Sequence, residues 1–194
     1  MSKVRTTVLM AATLCLLAPS LASAATKPHN RTGFFIGIGL GGGSDNEEYK
    51  GGGSQSEPGG VGSFRIGGAL GADVVLGLES STFTRAVEFS DGTDARFTAS
   101  VGTLAVTWFP THAGFYLRGG LGGAQGRVEF RNGGVRLEGN ENGFGTLFAI
   151  GNEWRLSDKF ALGPQAEFVF LNIGGDIVDT INYGAISAQG TWYW

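Results

Sequence analysis

Cysteine is nearly missing from this chain. Its one cysteine, Cys15, lies in an apolar stretch near the start, without the leucine three residues earlier that a lipid-attachment site favours. A disulfide framework is therefore excluded, and the fold must be held by burial and backbone pairing. Charge is sparse too, with 14 Lys and Arg against 17 Asp and Glu. No basic patch of the kind that grips nucleic acid is present. After the first 24 residues no apolar run approaches the roughly 20 residues of a helical membrane span. Any passage through a membrane must use strands.

The first 24 residues read as a signal peptide. Lys3 and Arg5 give a positive start, Val8 to Leu17 an apolar stretch too short to span, and Ala22-Ser23-Ala24 a cleavage site of small residues. Residues 25–194 are left as a single exported domain, in which 12 basic face 17 acidic residues for a formal charge of -5. Glycine is abundant, at 35 residues, but it follows no collagen period and is interleaved with Phe, Leu, Val and Ile. Disorder is not implied by that pattern.

Period-two alternation runs through most of the domain and predicts strands. The last stretch shows it plainly. Ile186, Ala188, Gly190, Trp192 and Trp194 alternate with the more polar Ala185, Ser187, Gln189, Thr191 and Tyr193. An exposed edge of this kind calls for a partner, and the first strand, Phe34 to about Gly41, supplies one. Between them a Gly-, Ser- and Glu-rich loop reaches Gly60, and strands follow at Val61–Ala72, Val74–Phe89 and Arg96–Phe109. Phe115 opens a strand that runs on towards Phe130 and reverses at Asn132-Gly133-Gly134, before Phe144–Leu156 and Phe160–Leu171 lead to the end. Tight turns sit near Asp73, Asp91-Gly92, Pro110 and Ser157-Asp158-Lys159. The connections alternate long and short, as in an up-and-down barrel with short periplasmic turns and longer outer loops. The expected fold is all-β: an eight-stranded antiparallel up-and-down transmembrane β-barrel.

Arg65, Glu79, Arg118, Glu153, Arg155 and Glu167 fall on the face opposite the apolar one, three of each sign among many glycines. That balance suits a narrow interior filled by side chains, with Arg65 directly opposite Glu79 across the hairpin near Asp73. Trp108, Phe109, Phe115, Trp154, Phe160, Trp192 and Trp194 gather beside the short turns, where an aromatic girdle at a membrane surface belongs. Two alternatives stay open. A soluble lipocalin-like periplasmic barrel would carry the same alternation inside out and bind an apolar ligand. A small ion-conducting pore would need a clear path past the inward charges.

On strand count, loop alternation and terminal aromatic, Gly33 to Trp194 resembles the small eight-stranded outer-membrane barrels of Gram-negative bacteria, the OmpA transmembrane-domain and OmpX type. The resemblance implies an outer-membrane monomer with both chain ends in the periplasm, in contact with lipid and lipopolysaccharide. It implies that Trp192 and Trp194 form the terminal signal read by the barrel-assembly machinery. No peptidoglycan-binding domain follows the barrel, so no cell-wall tether is expected. Long third to sixth strands would project as a ribbon, similar to OmpX-type proteins, where such a sheet offers an edge for adhesion by strand addition.

Enzymatic chemistry is not expected. Gly37-Ile38-Gly39-Leu40-Gly41-Gly42 matches G-x-G-x-x-G, but no helix follows to hold a pyrophosphate. Lipid A-modifying barrels use a His and Ser pair near the outer leaflet, whereas His29 and His112 fall on the expected periplasmic side. Asp45, Glu47 and Glu48 lack the fixed spacing of a cation site and read as a solvated loop. No metal or cofactor is implied.

Overall fold

In a computed structural model the chain forms one closed antiparallel barrel of eight strands. The structure describes residues 31–49, 54–88, 94–111, 113–132, 135–174 and 178–194. The leader, His29, His112 and the expected turns at Asp91-Gly92 and Gly133-Gly134 lie outside them. The strands are β1 (Phe34–Tyr49), β2 (Pro58–Ala69), β3 (Val74–Glu88), β4 (Asp94–Trp108), β5 (Phe115–Asn132), β6 (Val135–Asn152), β7 (Phe160–Asn172) and β8 (Val178–Tyr193). Two-residue pieces, Ser54–Gln55 and Trp154–Arg155, add to β1 and β7. Among the described residues no helix is long and apolar enough to cross a membrane.

Closure runs through β1 and β8, which pair from Phe35–Tyr193 to Tyr49–Val178. Paired residues traced once round the wall pass from Trp192 through Ile36, Ile66, Leu78, Leu104, Leu121, Thr146 and Phe170, and return to β8 at Asn182. The offset of ten residues between Trp192 and Asn182 is the stagger that closes the sheet, and with eight strands it sets a tilt of about 40°.

Outward positions carry the expected apolar set, including Ile38, Leu40, Phe64, Leu78, Leu104, Leu121, Phe148, Phe168 and Ile186, all exposed. The band is uneven. Above Leu78 and Leu104 the outer face of β2 to β4 turns to Gly62, Gly60, Ser80, Thr82, Ser100 and Gly102, with Thr82 and Ser100 hydroxyls 3.1 Å apart. On β7 apolar side chains continue to Phe170.

Three expectations are corrected. The loop proposed up to Gly60 is largely strand, because β8 runs up to Val178 and gives β1 a backbone partner as far as Tyr49. Gly41 is required there, since a Cβ would meet the Ile186 carbonyl oxygen. The break expected between the return through Glu138 and the strand opening at Phe144 is strand as well, since β5 and β6 pair without interruption from Phe115–Asn152 to Asn132–Val135. Phe109 leaves the outer girdle. It follows the last residue of β4 and turns into the lumen, 2 % exposed, while Trp108 stays outside.

Candidate functional site

The lumen is filled in three layers. At the end carrying the short turns and both ends of the described chain, Phe35, Val75, Phe109, Tyr116, Ala161 and Tyr193 form one apolar cluster. Glu153 sits beside it and accepts from Arg31 Nε at 3.0 Å and from the Tyr193 hydroxyl at 2.8 Å. Arg155 stacks over the Tyr193 ring at 4.0 Å and donates to the Asp158 carbonyl at 3.0 Å.

The middle layer is polar. Arg118 extends from β5 and pairs with Glu79 of β3 at 2.9 Å. The same nitrogen donates to Gln165 Oε1 at 2.8 Å, and its Nε to Thr107 at 3.0 Å. Glu167 accepts from Ser81 at 2.6 Å and Gln165 at 2.7 Å; the Tyr183 hydroxyl donates to Ser81 in turn. Arg65 donates to Thr191 at 2.9 Å, and Gln189 to Ser63 at 2.8 Å. These charges are enclosed: Glu167 is 0 % exposed and Glu79 3 %. For charges enclosed in this way desolvation offsets much of the mutual attraction.

Above this lies a second, larger apolar cluster, with Val61, Phe83, Phe97, Val101, Leu147, Val169, Leu171 and Ile181 among its members. Near the top Arg85 Nε lies 3.2 Å from Asp45 Oδ2, its guanidinium 4.9 Å from the Phe97 ring. Asp45, read from sequence as part of a solvated loop, is therefore corrected to a buried wall residue; its Oδ1 also accepts from the Glu57 amide at 2.9 Å. The side chains of Glu47 and Glu48 lie outside the described residues.

The six charges singled out from the sequence thus separate by height. Arg65, Glu79, Arg118 and Glu167 share the middle layer, and Glu153 and Arg155 the layer at the turn end. Arg65 does stand opposite Glu79 in the β2–β3 register, but the ion pair is made by Arg118, and Arg65 reaches across to β8 instead. Trp192 and Trp194 face outward, packed against Phe160 at 4.7 Å and Phe34 at 6.0 Å. Sequence reasoning missed Arg31 and Arg85. Arg31 lies outside any alternating segment, and Arg85 sat in a stretch where the alternation was weak.

At the opposite end β3 to β6 stand above their neighbours. β2 leaves β3 at Gly60–Thr84, and β7 leaves β6 at Phe144–Asn172. Among the described residues, Val135 to Gly143 of β6 therefore pairs on one side only, with β5.

No family model and no curated protein matches the chain. Solved structures do. Neisserial surface protein A aligns with a TM-score of 0.55 at 14 % identity, covering 85 % of this chain and 99 % of that one. Ail, the attachment invasion locus protein of Yersinia pestis, solved in complex with the heparin analogue sucrose octasulfate, aligns with a TM-score of 0.52 at 16 % identity, covering 82 % of this chain and 98 % of that one. The fold is that of the small eight-stranded outer-membrane barrels.

Proposed function

We propose that the protein is an integral outer-membrane barrel with a closed lumen, acting at the cell surface by binding a protein partner along its projecting sheet. The outward apolar residues support the membrane setting: Leu40 at 71 % and Leu78 at 61 % exposed belong to a band that water would not tolerate on a monomer. In that setting the turn end faces the periplasm, lipid and lipopolysaccharide contact the wall, and Trp192 and Trp194 serve the assembly machinery as a terminal signal. A conducting pore is disfavoured by two apolar clusters that bracket the polar layer. A lipocalin-like role is disfavoured by the same filling.

The observation that carries the binding role is the one-sided pairing of β6 from Val135 to Gly143. Such an edge presents backbone donors and acceptors to an incoming extended segment, which joins the sheet by strand addition. The test removes the projecting part and keeps the wall. Residues 127–140 are replaced by Asn-Gly, leaving the Gly126–Glu141 pair next to the turn, and residues 86–96 likewise, leaving Arg85–Phe97. The trimmed protein should keep its heat-modifiable migration in outer-membrane fractions and lose binding of bacteria to host cells. Unchanged cell binding by a correctly folded trimmed barrel would end the proposal. Conductance across planar bilayers would revive the pore.

A further inference from the structure

Arg31 belongs to no strand, yet it is fully enclosed at the turn end, 0 % exposed. Gly33 sends it there. With φ at 76° this residue bends the chain sharply before β1, and a Cβ at that position would meet the Trp194 carbonyl oxygen. The bend carries Arg31 across the mouth of the barrel. Its NH2 donates to the Ala113 carbonyl at 2.6 Å, its NH1 to the Ala72 carbonyl at 3.5 Å, and its Nε to Glu153 at 3.0 Å. The flat guanidinium lies 3.3 Å from the centre of the Phe109 ring, a stacking that arginine favours.

One side chain thus ties together the β2–β3, β4–β5 and β6–β7 turns. Glu153 is reached from the other side by Tyr193, the last residue of β8. The residue leading into the first strand and the residue ending the last one converge on a single carboxylate. That arrangement exists only when the two strands have met.

We infer that Arg31 is the stopper of the turn-end mouth: seated on Glu153 and Phe109 once the barrel has closed, it shuts the polar middle layer off from small solutes on that side. The inference does not rest on the membrane setting, since the contacts are the same whatever surrounds the wall. The rival is that the rings of Phe35, Phe109, Tyr116 and Tyr193 seal the mouth without it.

Single cysteines separate the two. In a Cys15→Ala background no other cysteine is present, so Ala105→Cys places one thiol on the buried inner face beyond the mouth, and Val101→Cys places another in the far apolar cluster. The probe is 2-aminoethyl methanethiosulfonate, applied to the folded protein in detergent. Adding Arg31→Ala should raise the labelling rate of Ala105→Cys at least tenfold and leave Val101→Cys protected, with heat-modifiable migration retained. An unchanged rate at Ala105→Cys, or equal opening at both positions, would overturn the inference. Should Arg31→Ala fail to fold, Arg31→Gln keeps a polar side chain at that position and removes the guanidinium that spans the turns. It must then raise Ala105→Cys labelling selectively, and an unchanged rate would be equally decisive against a stopper.

Discussion

Replacing Arg118 with Met tests whether the polar middle layer is a matched set. Met keeps much of the length and fills space, but it cannot donate. Glu79 then loses its ion pair at 2.9 Å, Thr107 its donor at 3.0 Å, and Gln165 one of two donors, since the Tyr116 hydroxyl still reaches it at 2.9 Å. The dominant loss is the Glu79 carboxylate left enclosed without its ion-pair partner. Breaking a buried pair from one side costs about 3 to 5 kcal/mol, whereas replacing both partners by groups of similar volume is often near neutral. With a urea slope of about 2 kcal/mol per M, Arg118→Met should lower the unfolding midpoint by about 2 M. The double variant Glu79→Gln with Arg118→Met should recover at least half of that. The measurement is a reversible urea titration of the barrel in lipid vesicles, followed by tryptophan fluorescence. A single variant that loses less than about 1 kcal/mol, or no more than the double, would refute the reasoning. It would mean that other polar groups or solvent replace Arg118 at little cost.

Two further outcomes follow from the wall and the upper lumen. Leu76→Arg puts a cation in the middle of the outward band on β3 and should destabilise the barrel in lipid by about 2 to 4 kcal/mol, while Thr84→Arg, four positions further up the same face of the strand, should cost about 0 to 1 kcal/mol. Equal costs in vesicle titrations would argue against a bilayer around this band. Leu147→Ala, at a position with 0 % exposure in the upper cluster, should cost about 2 to 5 kcal/mol. A loss under about 1 kcal/mol in the same titration would show that the cluster collapses around the gap.

The wall was legible in the sequence because a strand writes its two faces into alternate residues. Ile186 to Trp194 and Phe34 to Leu40 declared both their faces and each other, and Arg65 fell opposite Glu79 as the register requires. Height was not legible. Alternation says that Val101, Leu147 and Glu167 point the same way as their neighbours two residues on, but not that the first two stack above a polar layer and the third lies in it. The Arg118–Glu79 pair depends on a side chain crossing from β5 to β3, a reach set by the width of the lumen. Gly42 to Ser44 looked like a loop because glycine is a poor strand former on its own. Partners on both sides impose the strand there, and the missing side chain of Gly43 lets the Gly184 backbone approach. Arg31 carried no local sign at all, since its position is fixed by a bend at Gly33 and by partners 41 to 122 residues away.

The uneven outer band has a consequence for anything that surrounds it. Apolar side chains climb β7 from Phe160 to Phe170, but on β4 they stop at Leu104, four residues above Trp108, before Gly102 and Ser100 take over. At a strand tilt of about 40° this is a difference of roughly 15 Å in height between opposite sides of one small cylinder. Hydrocarbon cannot match both sides at once while the barrel stands upright. Either the bilayer dips beside β2 to β4 or the cylinder leans, and the cost of each is spread over ångströms of mismatch. The mutual bond between Thr82 and Ser100 lessens that cost without removing it, so the molecule carries a built-in preference for how it is seated among lipids.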